Sequence, residues 1–323
     1  MKPTTNESDL VGRIEKAFPF TRSQALTLEL GDDAALWRPR AGFETVLSCD
    51  WFLEDSHFQR DKHPPDAVGW KCLARAVSDI AAMGGEPRCF LLSVALPGEL
   101  TGKWFDEFLR GLRRASSELR CALVGGDTTR HQKVLINVTV VGELPRGRAL
   151  LRSGARVGDS LFVSGRLGEA EAGLLNLKKR QGMAGRSSAP LRKHLYPAPR
   201  LRLGHWLAAQ RLATAAMDLS DGLSTDLPRL CAASGVGARI ELDCLPVGRG
   251  VEPSEARLLA LHGGDDYELL FSVRKTKVMR IPRSLAGLKL TRIGEITREK
   301  QMVVVENGQT QRLEPGGWDP FGS

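Results

Sequence analysis

Five short runs in this chain set aspartate beside glycine or another small residue, and they are spread from residue 31 to residue 267. They read Gly31-Asp32-Asp33-Ala34-Ala35, Ser48-Cys49-Asp50, Gly125-Gly126-Asp127-Thr128-Thr129, Asp218-Leu219-Ser220-Asp221-Gly222 and Gly263-Gly264-Asp265-Asp266-Tyr267. Asp79 adds a further carboxylate inside Ser78-Asp79-Ile80-Ala81-Ala82-Met83-Gly84. Glycine lets backbone approach a ligand closely, and aspartate is a hard oxygen donor suited to magnesium. Carboxylates gathered in one place repel each other unless cations sit between them. A fold that brings these runs together therefore predicts magnesium ions bridging the phosphates of a nucleotide.

The segments between the runs predict both helices and strands. Apolar spacing gives helices over residues 9–18, 66–83, 102–119, 200–210 and 223–233, the second stopped by Gly84-Gly85 and Pro87. Strands are expected over 43–48, 90–96, 122–124, 134–141, 160–163, 239–242, 268–273, 288–294 and 302–305. Several of these alternate apolar with polar residues, which favours an α+β layered fold with mixed or antiparallel sheets over a purely parallel one. A turn at Pro145-Arg146-Gly147 divides the chain into residues 1–145 and 146–323, and residues 181–190 read as a flexible surface connection. The phosphate-loop and dinucleotide fingerprints of the common nucleotide folds are absent.

Composition narrows the function classes. The 323 residues suffice for two domains, and six scattered cysteines without a Cys-x-x-Cys pair argue against zinc and against a disulfide framework. A net charge of +8 with only 6% aromatic residues and no recognised binding motif fits a field that attracts anionic phosphates better than a nucleic-acid partner. The first residues lack the apolar core of a secretory signal, and no run approaches the roughly 20 apolar residues that span a bilayer, so a cytoplasmic protein without membrane contact is expected.

Each motif also has a plainer reading. Asp32-Asp33 is a metal site or a solvated acidic turn, and His57 is a phosphate contact or a satisfied half-buried side chain. Asp79 either pairs with Arg75 on a helix surface or faces a ligand. Gly126-Asp127-Thr128-Thr129 offers backbone N–H groups, hydroxyls and a carboxylate at one point, as a phosphate nest does, where a plain turn needs one glycine. Ser220 or Asp221 would make an ordinary helix N-cap, yet two aspartates three residues apart exceed that need.

Taken in order, these runs resemble those of the thiamine-monophosphate kinases, together with Tyr196-Pro197-Ala198-Pro199-Arg200, Arg292-Ile293-Gly294-Glu295 and Gly317-Trp318-Asp319-Pro320-Phe321. The resemblance implies the two-domain aminoimidazole ribonucleotide synthetase-like fold, usually a homodimer joined through strands of the N-terminal domain. It implies ATP-dependent, magnesium-assisted transfer of a phosphoryl group to thiamine monophosphate, giving thiamine diphosphate. The N-terminal domain would bind metal and ATP and dimerise, and the C-terminal domain would complete the site. Carried over, the metal ligands are Asp33, Ser48, Cys49, Asp50, Asp79, Asp127, Asp218 and Asp221. ATP is met by Gly126, Asp127, Arg152 and Ser220, and thiamine phosphate by His57, Asp265 and Trp318. Cys49 stands where the family often has threonine, and Asp265 where glutamate is frequent. The alternatives are another ATP-dependent member of the superfamily and a non-catalytic magnesium–nucleotide-binding regulator of the same fold.

Overall fold

Period-two alternation in the first part of the chain produces a sheet with one covered and one open face. The computed structural model describes residues 6–18, 26–28, 33–179, 188–249 and 251–322. It divides into one unit of Met1–Ile80 with Gly85–Arg146 and a second of Ala81–Gly84 with Gly147–Ser323.

The first unit contains α1 (Glu7–Ala17), β1 (Leu26–Leu28), β2 (Leu36–Trp37), β3 (Phe43–Leu53), α2 (Pro65–Ala82), β4 (Glu86–Leu96), α3 (Lys103–Leu119), β5 (Ala122–Arg130) and β6 (Leu135–Pro145). Its main sheet runs β3-β6-β4-β5, with β4 and β5 parallel and the other pairs antiparallel. Helix α3 supplies the crossover that parallel neighbours require. Phe90, Leu92 and Val94 of β4 pair with Val140, Val138 and Ile136 of β6, and all six are buried on the covered face. Leu47, Trp51 and Leu91 point the other way and are 69, 56 and 40% exposed. Helix α2 lies over the covered face, where Gly142 leaves room for Ile80 and the Arg75 guanidinium stacks 5.2 Å from the Phe52 ring.

The second unit contains β7 (Ser160–Ser164), α4 (Glu169–Lys179), α5 (Ala189–Leu195), α6 (Leu201–Ala209), β8 (Ala213–Leu219), α7 (Leu223–Ser234) and β9 (Gly237–Glu241). It continues with α8 (Pro253–His262), β10 (Glu268–Val273), β11 (Ser284–Leu285), β12 (Leu288–Thr297), β13 (Met302–Glu306) and β14 (Gln309–Arg312). The sheet order is β14-β13-β9-β12-β7-β10-β8, with β11 beside β12, and only β13–β9 is parallel. Every residue of β7 and β10 is buried, and apolar clusters pack both sheet faces. The expected α+β architecture with mixed sheets is the one observed.

Helix positions follow the apolar spacing closely. Gly84, at φ +76°, ends α2 as expected: its N–H donates to Ala81 O at 3.0 Å and that of Gly85 to Ile80 O at 2.9 Å. Strand lengths depart more. The strand expected from residue 43 runs on to Leu53, and the one expected from residue 90 starts at Glu86, with a register shift between Pro87 and Cys89. The proline lacks a ladder N–H, and the shift accommodates it. Of the connection expected over 181–190, residues 181–187 lie outside the described residues, and α5 begins at Ala189. Among the described residues no helix is long and apolar enough to cross a membrane.

Helices α2 and α3 meet through two glycines. A Cβ on Gly69 would lie 2.1 Å from Phe108 O, and one on Gly111 would lie 1.8 Å from Asp66 O. Alanine is the better helix former by about 1 kcal/mol, but overpacking against backbone costs about 1–3 kcal/mol and neither partner atom is a side chain that can move aside. Gly111→Ala is therefore expected to lower stability by up to about 2 kcal/mol net, read as an earlier midpoint in urea unfolding.

Candidate active site

In the first unit, strand alternation sorts the Ser48-Cys49-Asp50 run onto two faces. Ser48 and Asp50 share one side of β3. Ser48 Oγ donates to Asp79 Oδ2 on α2, so these two oxygen donors are in direct contact. The Cys49 side chain turns to the open face, where Sγ lies 3.3 Å from Asn137 Oδ1 and 3.4 Å from Thr139 Oγ1. Asp33 is exposed, and Gly31 and Asp32 lie outside the described residues.

On β5, Gly126 has φ +155°, and a Cβ there would sit 1.8 Å from Leu92 O. Strand pairing alone thus requires glycine at this position. Asp127 pairs opposite Ser93 and is exposed. The adjacent Thr128 hydroxyl is buried and has no hydrogen-bond partner among the described residues. At His57, Leu53 N–H donates to Nδ1 at 3.0 Å, so that ring nitrogen is an acceptor.

In the second unit, three sequence-distant segments lock together around Asp218–Gly222. The N–H of Asp265 donates to Ser220 O at 2.7 Å, and that of Tyr267 to Leu219 O at 2.8 Å. The N–H of Trp318 donates to Asp221 O at 2.9 Å, while Gly316 and Gly317 donate to the hydroxyls of Ser224 and Thr225 at 3.2 and 3.1 Å. A Cβ on Gly317 would lie 2.0 Å from Asp221 O. Asp218, Ser220, Asp221, Asp265 and Trp318 are thus brought into one neighbourhood, with the Trp318 side chain 46% exposed. Arg152 is exposed on a loop whose carbonyl accepts from Ser234 Oγ at 2.9 Å.

Neither Ser220 nor Asp221 caps α7. The N-cap is Gly222, at φ +104° and without a side-chain cap. Buried Asp226 does the anchoring from inside the helix: its Oδ2 accepts from the N–H groups of Ser220 and Asp221 at 3.1 and 3.0 Å. Arg229 bridges Asp221 and Asp226 at 2.5 and 2.8 Å. Burial, then the neighbouring Asp221 charge, push the Asp226 carboxyl up to about 6. Sequence reasoning passed over Asp226 and Arg229, although Asp226 closes the same acidic run.

Behind Asp265 lies a buried ionic cluster. Glu268 accepts from Ser164 Oγ at 2.6 Å, Lys193 Nζ at 3.0 Å, and Arg200 Nε and Nη2 at 2.7 and 2.5 Å. Asp266 accepts the N–H groups of Gly168 and Ala170 at 2.6 and 3.2 Å, at the N-terminus of α4 where a carboxylate is favoured. Lys193 also stands 3.3 Å from Asp266. Burial by itself would raise the Glu268 carboxyl, but the charges of Lys193 and Arg200, with the hydrogen bonds from Arg200 and Ser164, outweigh it and hold the group at about 2.

Among the described residues no three His, Cys, Asp or Glu side chains gather as a metal cluster. In the first unit Ser48 and Asp79 are in direct contact; in the second Asp218 is buried and Asp221 pairs with Arg229.

Residues 31–144 match the model of the AIR synthase related protein N-terminal domain, and residues 156–307 match that of the C-terminal domain. The thiamine-monophosphate kinase of Escherichia coli strain K12 is 37% identical over 319 residues, covering 95% of this chain and 97% of that protein. The crystal structure of thiamine-monophosphate kinase from Stenotrophomonas maltophilia K279a is 35% identical with a TM-score of 0.80, covering 93% of this chain and 96% of that one. The structure of AaThiL complexed with AMPPCP and TMP is 34% identical with a TM-score of 0.76, covering 98% and 97%.

The ionic cluster sets an acid limit. Glu268 titrates at about 2 in the fold against 4.5 ordinarily, so its stabilisation is complete above pH 4.5 and is lost as pH falls toward 2. Glu268→Gln leaves Lys193 and Arg200 without their shared charge and is expected to cost about 3–5 kcal/mol at neutral pH. Chemical denaturation across pH 2–5 should show a flatter acid limb in the variant than in the parent.

Proposed function

This chain belongs to the thiamine-monophosphate kinase family, within the AIR synthase related proteins, and we propose that it transfers the γ-phosphoryl group of ATP to thiamine monophosphate. The products are thiamine diphosphate and ADP. The observation that carries this reading is the ordered set of glycine-aspartate runs, which lies within a match spanning nearly the whole of this chain and of its relatives. AaThiL, complexed with AMPPCP and TMP, supports ATP and thiamine monophosphate as the substrate pair here.

The chemistry suits the residues present. The nucleophile is a phosphate oxygen of thiamine monophosphate, already ionised, so no general base is needed, and the protein's task is in-line positioning and neutralisation of charge. Asp33, Ser48, Asp50, Asp79 and Asp127 in the first unit, and Asp218 and Asp221 in the second, are hard oxygen donors of the kind magnesium takes. They fit such an ion by chemistry. Cys49 fits only through its backbone, because its thiol faces the other side of β3 and is a poor magnesium ligand. Bound magnesium would neutralise charge on the transferring phosphoryl group. Gly126, Asp127, Arg152 and Ser220 are assigned to ATP, with the fixed charge of exposed Arg152 adding to its attraction. His57, Asp265 and Trp318 are assigned to thiamine phosphate; the half-exposed Trp318 indole suits the cationic thiazolium.

The open face of the β3-β6-β4-β5 sheet supports a homodimer through this unit, since Leu47, Trp51 and Leu91 form an apolar surface that a second copy would cover. Trp51→Glu is expected to convert a dimer to a monomer in light scattering coupled to size exclusion, with the far-ultraviolet circular dichroism spectrum preserved. A cytoplasmic location accords with the substrates.

The direct test incubates the purified protein with ATP, magnesium and thiamine monophosphate and follows thiamine diphosphate by chromatography. Product is expected, and chelation of magnesium should stop its formation. Folded protein that binds ATP and yields no product would overturn the kinase reading. Asp127→Asn should abolish turnover while the ligand-free melting temperature stays within about 1 °C, since substitutions at exposed positions usually change stability by less than about 0.5 kcal/mol.

A further inference from the structure

The run from Gly263 to Glu268 is fixed far more tightly than a connection between α8 and β10 requires. Asp265 and Tyr267 both lie in the left-handed region, at φ +65° and +50°. Neither is glycine, and such conformations persist only where the surroundings over-determine them. The surroundings do so from Asp265 to Glu268. The N–H groups of Asp265 and Tyr267 are tied to Ser220 and Leu219, Asp266 is tied to α4, and Glu268 to Lys193 and Arg200. Asp266, Tyr267 and Glu268 are all buried, the Tyr267 residue only 2% exposed. The Asp265 side chain, at 26% exposure, is the one carboxylate of the run that reaches solvent.

Tyr267 then turns back on Asp265. Its hydroxyl donates to Asp265 Oδ1 at 2.8 Å, and the buried His194 ring stands behind Oδ2, with Nδ1 at 3.6 Å. A carboxylate acting merely as negative charge toward a cation needs no such orientation. One accepting a directional hydrogen bond does.

We infer that Tyr267 is a positioning residue for substrate recognition, holding the Asp265 carboxylate as an oriented acceptor for the exocyclic amine of the thiamine aminopyrimidine. The inference rests on the kinase reading and deepens its substrate side. A site built around a substrate N–H rejects the analogue that lacks it, because its own polar group is then left unpaired. The discriminating pair is thiamine monophosphate and oxythiamine monophosphate, in which a carbonyl oxygen replaces the amine.

The test compares steady-state kinetics of the parent, Tyr267→Phe and Asp265→Asn with both substrates. Tyr267→Phe keeps the buried ring and deletes one hydroxyl; asparagine tolerates the left-handed backbone at 265. The parent should prefer the amino substrate in kcat/KM by at least about tenfold, the scale of one hydrogen bond to a charged acceptor. Tyr267→Phe should raise the KM for thiamine monophosphate several-fold and narrow that preference, leaving kcat and the KM for ATP within about twofold, as removal of uniform binding does. Asp265→Asn should narrow it further. An unchanged KM for thiamine monophosphate in Tyr267→Phe, an unchanged preference in both variants, or a rise in both KM values with a lower melting temperature would overturn the inference while leaving the kinase reading intact. A parent that forms no thiamine diphosphate overturns both.

Discussion

The carboxylate of Glu268 is the constraint on which the second unit turns. One buried side chain joins β7 through Ser164, α5 through Lys193 and the entry to α6 through Arg200. Gly165, at φ +62°, is held to glycine because a Cβ would lie 2.1 Å from Glu268 Oε1. Two residues earlier, Asp266 adds the start of α4 and shares Lys193. Burying these charges yields no more stability than an apolar core of equal volume would, whereas removal of any one member leaves the others uncompensated. What the cluster does supply is geometry. β10 is the strand into which the Gly263–Tyr267 run feeds, so the position of the partly exposed Asp265 is set beside a largely buried ionic cluster.

The first unit solves a different problem with the same alternation. Odd residues of β3 face the open side and even residues the helices, so adjacent members of Ser48-Cys49-Asp50 cannot act together through their side chains. Ser48 reaches Asp79, whereas Cys49 joins Asn137 and Thr139. A strand that lay in the middle of the sheet would have had its main chain occupied on both sides. β3 lies at the edge of its sheet, which leaves one row of its backbone groups outside the ladder.

Much of this fold is legible in the sequence, and the failures have physical causes. Long helices with a full apolar stripe, such as α2 and α3, and continuous apolar strands, such as β10, stand out because local pattern and tertiary burial agree. β8, Ala213-Thr214-Ala215-Ala216-Met217-Asp218-Leu219, does not: it is rich in alanine, a poor strand former, and is held as a strand by its partner β10. Helix α5 is too short for periodicity to register, and its residues matter through Lys193 and His194, whose partners lie 75 and 71 positions away in β10 and in the run before it. The candidate site divides in the same way. Its acidic runs are visible as composition, but the anchors that aim them, Asp226, Arg229 and Tyr267, are contacts made on folding.

The same distinction decides what each aspartate is for. Asp265 and Asp266 are neighbours of identical chemistry, in a run where either could be read as the functional residue. Asp266 spends both oxygens on the amides of α4 and on Lys193, so its charge is consumed by the fold. Asp265 carries a strained backbone, a tyrosine hydroxyl on one oxygen and the His194 ring near the other, and its side chain stays 26% exposed. Asp221 and Asp226 divide likewise: Asp226 is wholly buried and holds two backbone N–H groups, while Asp221 shares Arg229 with it at the surface of the same loop. In both pairs one carboxylate is buried and holds backbone N–H groups, while the other stays partly exposed. A glycine-aspartate motif with paired acids therefore encodes a presenter and a presented group. Which is which follows from where the hydrogen bonds go, since residue type is the same for both.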